Sequence, residues 1–230
     1  MWRKVVDLLL IPLLFIVVSG VVSIVSIAAA LRNRPEIVTQ EDTSEVESYI
    51  ISPYDKMFQE VGSIYGVDWL LLSAIARAES EFRFDAVSSA GAVGIMQVMP
   101  LVAKNMGYDR ESLFDSRVCA EVAAKLLHEN NEMLHLPQTF DKEERLKFIL
   151  ACYNAGYSRI ADARRLTRYY EGDAAQWNEV AEYLALLADP EYAEHEVVTA
   201  GTFNGSKETI AYVSKVMHLY RIYKTKIASM

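Results

Sequence analysis

Two cysteines in 230 residues exclude a disulfide-built scaffold, so the fold of this chain must rest on an apolar core. Cys119 and Cys152 leave two readings open, a single disulfide in an oxidising compartment or two buried thiols, and the thiols are the commoner outcome. The four histidines, His128, His135, His195 and His218, form no ligand-spaced cluster, and no EF-hand pattern occurs, so neither a metal nor another cofactor is expected. Basic residues are outnumbered, 23 against 31 acidic, for a net charge of −8, which argues against a nucleic-acid partner. An anionic polymer would gain no long-range attraction either, so its recognition would rest on short-range hydrogen bonds and packing. No internal repeat or low-complexity tract is present.

Hydrophobic residues make up 52% of the chain, and their excess is concentrated early. No charge interrupts Leu8 to Leu31, and as a helix those 24 positions would extend about 36 Å, enough to cross a bilayer. Ala28 to Ala30 would suit a cleavable signal peptide, but the apolar core of such a peptide runs to only about 7–15 residues, so a retained anchor over residues 1–35 is expected. Arg3 and Lys4 precede the span and Arg32 and Arg34 follow it, so charge does not orient it. Residues 36–52 are acidic, through Glu41, Asp42, Glu45 and Glu47, and lack an apolar stripe; they read as a linker reaching at most about 55 Å. Residues 53–230 then form one domain.

Within that domain, Ser52 and Pro53 suggest a helix start, and Tyr54, Met57, Phe58, Val61 and Tyr65 give it a core face ending near Gly66. The spacing predicts further helices over Asp68–Glu79, Leu101–Met106, Ser116–Leu134, Lys142–Asn154, Ser158–Tyr169, Trp177–Leu187 and Lys207–Lys226. Strands are few and short. The fold class is α+β, predominantly helical, with any small sheet confined to the region after Glu79.

Glu79 stands out because it lies three, four and seven positions after Ala76, Ile75 and Leu72, on the stripe that enters the core. Burial and the negative end of the helix both disfavour its ionised form, and a general acid needs that property. The uncharged run SSAGAVGIMQVMP follows, in which Gly91 and Gly94 permit positive φ and Gln97 offers an amide among apolar neighbours. Taken alone, Met96 and Met99 read as core filler, Tyr153 as a core aromatic and Tyr212 as helix core.

Together these residues carry a resemblance. The string ESEFRFDAVSSAGAVGIMQVMP resembles the signature of the Slt-type lytic transglycosylases, relatives of goose-type lysozyme. The family's GLMQ element reads GIMQ here, Gly94 to Gln97, its AYNAG element reads CYNAG, Cys152 to Gly156, and its ET and YV pairs are Glu208, Thr209, Tyr212 and Val213. The segment from Tyr157 to Leu187 is similar to the membrane-bound lytic transglycosylase F branch, although only a short segment precedes the catalytic part here. The resemblance implies a lysozyme-like fold, with Glu79 as catalytic acid/base and Ser80, Ser88, Met96, Gln97, Tyr153, Asn154 and Tyr212 around the substrate. Ala90 stands where some members carry a second sugar-lining serine.

The activity so implied is non-hydrolytic cleavage of the MurNAc–GlcNAc bond of peptidoglycan, leaving 1,6-anhydroMurNAc ends. Such an enzyme is useful only outside the cytoplasmic membrane, tethered by its N-terminal helix, with glycan strands as its partner. Hydrolysis needs two carboxylates flanking the bond. Glu81 points about 200° away from Glu79 at helical spacing, and Asp85 has no obvious apolar pocket, so neither is a convincing second acid. A hydrolytic muramidase and a non-catalytic wall-binding scaffold remain the alternatives.

Overall fold

The computed structural model describes residues 50–230. The expected anchor over 1–35 and all but the last residues of the linker lie outside the described residues. Among the described residues, no helix is long and apolar enough to cross a membrane.

The chain enters at a turn that the helix-start residues build. Ser52 Oγ accepts from the Tyr54 amide, and the Asp55 carboxylate takes the amides of Ile50, Ile51 and Ser52 in return. The regular helix therefore begins later than the Ser-Pro pair suggests, as α1 over Asp55–Tyr65, and ends at Gly66 in the left-handed conformation. Asp68 then caps α2, Trp69–Ser80, through the Leu70 amide at 2.9 Å.

The remaining helices are α3, Pro100–Asn105; α4, Ser116–Met133; α5, Lys142–Ala155; α6, Tyr157–Tyr169; α7, Trp177–Leu186; α8, Pro190–Ala193; and α9, Ser206–Ala228. Each long one begins or ends within two residues of the span its periodicity predicts. Two short elements carry too little pattern to be read beforehand, α8 and a 3₁₀ turn over Glu111–Phe114. The small sheet expected after Glu79 reduces to two antiparallel bridges, Val87 with Val93 and Val93 with Val98.

The core is one apolar cluster in which α9 packs on α2, α5 and α7, while α4 packs on α1 and α5. Phe58, Leu72, Ile75, Phe148, Leu150, Ile160, Leu166 and Leu184 are fully buried within it. Each such side chain contributes roughly 1.5–3 kcal/mol relative to exposure. The core sets the position of the C-terminal end of α2, because α2 is held between α1 on one side and α9 on the other.

The bridged loop is fastened to this core at Gly94. Its φ is +80°, and an added Cβ would meet the Leu113 carbonyl oxygen at 2.2 Å and Cys119 Sγ at 2.9 Å. Both cysteines are buried free thiols, so Cys119 serves here as packing surface, with Sγ 3.6 Å from the Val93 carbonyl. Gly91 has a similar φ, +87°, but open space around it. Gly94→Ala is therefore expected to cost about 3 kcal/mol or more and Gly91→Ala only about 1 kcal/mol, measured by urea denaturation of the full chain in detergent.

Candidate active site

Glu79 occupies the last turn of α2, half-buried, and its carboxyl is held at a pKa of about 7. Burial is the main cause; the nearby Tyr212 hydroxyl and the Lys215 ammonium oppose the rise, and Glu208 adds to it. The helix stops immediately afterwards in an unusual way. Glu81 and Phe82 follow with φ of 56° and 66°, a left-handed pair formed by two side-chain-bearing residues. Such a pair is sterically costly, and it turns the chain sharply away just after Ser80, leaving Glu79 in the final turn of the helix. Phe82 is held in this conformation by stacking on Tyr54, with ring centroids 6.4 Å apart.

The loop from Ala86 to Val98 forms the facing wall. Ser80 Oγ donates to the Ile95 carbonyl at 2.8 Å and to Ala76 at 3.3 Å, joining the helix end to the loop. Gln97, itself at φ 49°, donates both amide hydrogens to backbone carbonyls, Ala86 at 3.1 Å and Gly94 at 3.0 Å. Its Oε1 acceptor is thus the group it has left to offer a ligand. Ser88 opens the tight turn to Gly91, and its hydroxyl accepts from the Ala92 amide at 3.0 Å.

Two tyrosines complete the surroundings of the acid. Tyr153, near the end of α5, donates to the Met96 carbonyl at 2.8 Å, so its ring braces the loop beside Glu79. Tyr212, on α9, is buried, and its hydroxyl has no partner in good hydrogen-bonding geometry. It lies near enough to Glu79 to oppose the rise in the acid's pKa, a loose contact rather than a made bond. Burial and the neighbouring Glu79 raise both phenols well above their usual range, so both remain neutral donors. Asn154 accepts from Thr209 Oγ1 at 2.8 Å, which ties α5 to the start of α9 and leaves the Asn154 amide hydrogens uncommitted.

The structure therefore separates the sequence-derived residues into two groups. Glu79, Gln97, Tyr153 and Tyr212 converge on the end of α2 and its loop, while Asn154 follows Tyr153 on α5 and is bonded to α9. Ser80 and Met96 are 2% and 0% exposed, so a sugar-contacting role is replaced for both by a positioning one. Ser80 is a hydrogen-bonded rivet, and Met96 presents its carbonyl to Tyr153 while its side chain fills the core. Ser88 is partly exposed, and its hydroxyl accepts from the turn while its own hydrogen stays free to donate.

Sequence reasoning missed Lys215, whose Nζ donates to the Ala78 carbonyl at 2.7 Å. The available signal was its helical spacing from Glu208 and Tyr212, which puts all three on one face of α9. Glu81 and Asp85 are exposed on the outgoing turn, as is Glu208 on α9. Among the described residues, no group of histidine, cysteine and carboxylate side chains could hold a metal ion.

The sign of the linkage follows from the raised carboxyl. Between the ordinary carboxylate range and about pH 7 the folded chain holds a proton at Glu79 that the unfolded chain has lost. Stability falls as pH rises through that window, and the full cost is present above it. Glu79→Gln should therefore stabilise the chain more at pH 8 than at pH 4, the difference being about 1–3 kcal/mol by urea denaturation.

Residues 56–176 match the family described as Transglycosylase SLT domain. The chain is 31% identical over 174 residues to the membrane-bound lytic murein transglycosylase F of Desulfosudis oleivorans, covering 75% of this chain and 36% of that protein. It is 32% identical over 167 residues to the protein of the same name from Pasteurella multocida, covering 70% of this chain and 33% of that one. It thus spans about a third of the length of these curated relatives. Its fold is similar to that of an inactive variant of lytic transglycosylase Slt from Pseudomonas aeruginosa, with TM-score 0.52 and 22% identity over 76% of this chain and 24% of that one.

Proposed function

The chain belongs to the Transglycosylase SLT domain family, and from that premise we propose that it is a peptidoglycan lytic transglycosylase, cleaving the MurNAc–GlcNAc β-1,4 bond without water. The observation that carries this reading is a single half-buried carboxyl, Glu79, poised near neutrality between two neutral tyrosines. Hydrolysis by the two-carboxylate route needs a second acid aimed at the same bond. Glu208, a carboxylate whose charge is felt at Glu79, lies exposed on α9.

One acid is enough when the substrate supplies its own nucleophile. Glu79, protonated, donates to the oxygen that links muramic C1 to the next sugar, and the C1–O bond breaks. The muramic C6 hydroxyl oxygen then bonds to C1, and its proton returns to the Glu79 carboxylate. The 1,6-anhydro ring closes with no net change in the enzyme and no water consumed. A pKa near 7 suits both halves of this cycle, since the group must give a proton and take one back. The unpartnered Tyr212 hydroxyl is available to steady the carboxylate between the two steps. Gln97 Oε1 and the Asn154 amide are groups that could orient the N-acetyl and hydroxyl groups of the strand. No cofactor enters the scheme.

The apolar run from Leu8 to Leu31 supports a single-pass anchor in the cytoplasmic membrane, with the catalytic domain on the outer side where glycan strands lie. The relatives' description as membrane-bound agrees with such tethering.

Digestion of purified sacculi by the full chain should release muropeptides with anhydro ends, lighter by one water than hydrolytic products on mass spectrometry. Glu79→Gln should lower that release by about 10²-fold to 10⁴-fold. Products one water heavier would instead identify a muramidase, and no release at all a wall-binding scaffold.

A further inference from the structure

Tyr212 lies between two charges of opposite sign on α9. Glu208 precedes it by four positions and Lys215 follows it by three, which sets all three on the face packed against α2. Glu208 and Lys215 are both exposed, and neither forms an ion pair among the described residues. Lys215 nevertheless has a fixed position. Its Nζ donates at 2.7 Å to the carbonyl of Ala78, the residue immediately before Glu79.

That carbonyl belongs to the last turn of α2, where carbonyls have no partner within the helix. A lysine there satisfies one of them and places a positive charge against the negative end of the helix. The rest of the residue supports the same geometry, because its flexible stem spans from α9 to α2 while the ammonium stays wet.

We propose that Lys215 is a positioning residue for Glu79, clamping the turn that carries the acid and supplying a positive charge that counters the burial of its carboxyl. The proposal rests on the transglycosylase reading for its consequence in activity, although its effect on Glu79 is independent of that reading. The other groups that face the acid are Tyr153 from α5, Cys119 from α4, and Glu208 and Tyr212 from α9; Arg77 stands in the last turn of α2 itself. Tyr153 and Tyr212 stay neutral, and burial pushes the Cys119 thiol up to about 11. Lys215 and Glu208 are therefore the charges on α9 that act on the acid, in opposite directions.

A merely structural lysine would alter activity without moving the titration of Glu79. The test is carried out on the full chain in detergent with glutamate 13Cδ labelling, the Glu79 resonance being identified by its loss in Glu79→Gln. Lys215→Met, which removes charge and clamp together, should raise the Glu79 midpoint by roughly half a pH unit or more. Lys215→Gln, which keeps a donor for Ala78, should raise it too, whereas Lys215→Arg should leave it near the wild-type value. The alkaline limb of muropeptide release should move to higher pH in Lys215→Met and Lys215→Gln, because loss of the acid's proton ends turnover. A folded neutral variant whose Glu79 midpoint matches wild type overturns the proposal, whatever its activity. Absence of anhydro products from wild type overturns the transglycosylase reading alone, since the resonance titrates in either case.

Discussion

Removing one carboxyl from water is the constraint on which the site depends. Glu79 lies on the apolar stripe of α2, and the same periodicity that buries Leu72, Ile75 and Ala76 carries it towards the core. The fold accepts a destabilising group there and in return keeps its proton up to about pH 7. Everything next to the acid then has to be polar enough to accompany a charge yet unable to remove the proton permanently. Neutral phenols meet that requirement, and a buried cation in their place would stabilise the carboxylate too strongly.

A buried acid is useful only if the wall it faces stays still, and this domain fixes that wall without a sheet. Two bridges are all the β structure the loop has. Its shape is imposed by side chains that reach backbone carbonyls: Ser80 to Ile95, Gln97 to Ala86 and Gly94, and Tyr153 to Met96. Gly94 adds a close approach to Leu113 that no other residue could make without moving the chain. These bonds come from α2, from α5 and from the loop itself, so displacement of any one element would disturb the geometry around Glu79.

The pattern of the sequence carried the helices and the acid, since both follow from a period of 3.6 and a stripe that includes one glutamate. The family resemblance carried the grouping of Gln97, Tyr153, Asn154 and Tyr212, which are far apart in the chain, with Tyr153 and Asn154 on α5 and Tyr212 on α9, the helix that packs on both α2 and α5. What neither could supply is the division of labour inside a motif. Ser80 and Met96 belong to the same string as Glu79 and Gln97, yet they face inward, because a helix end and a tight loop alternate their sides residue by residue. The left-handed pair Glu81 and Phe82 is equally silent, since neither residue type favours positive φ; the helix-end hydrogen bonds to the Ala76 carbonyl and the stacking of Phe82 on Tyr54 accompany it. Lys215 escaped notice for a related reason: a lysine on a helix face reads as solvated until the carbonyl it reaches is known.

On the proposed transglycosylase reading the acid serves twice, which constrains its surroundings more than a single use would. A proton affinity far above neutrality would let Glu79 donate only reluctantly and leave it a needlessly strong base, while one far below would leave too little of the acid form to begin. Burial alone drives the affinity in one direction, so a balance near pH 7 requires terms of the opposite sign. Tyr212 and Lys215 supply them, and Glu208 works against them from the other side of the tyrosine. Glu208 and Lys215 sit on the exposed edge of α9, so water screens both, and anything that excluded water from that edge would strengthen each one's field at the acid. The proton affinity of Glu79 would then depend on the difference between two nearby charges, both carried on one face of one helix.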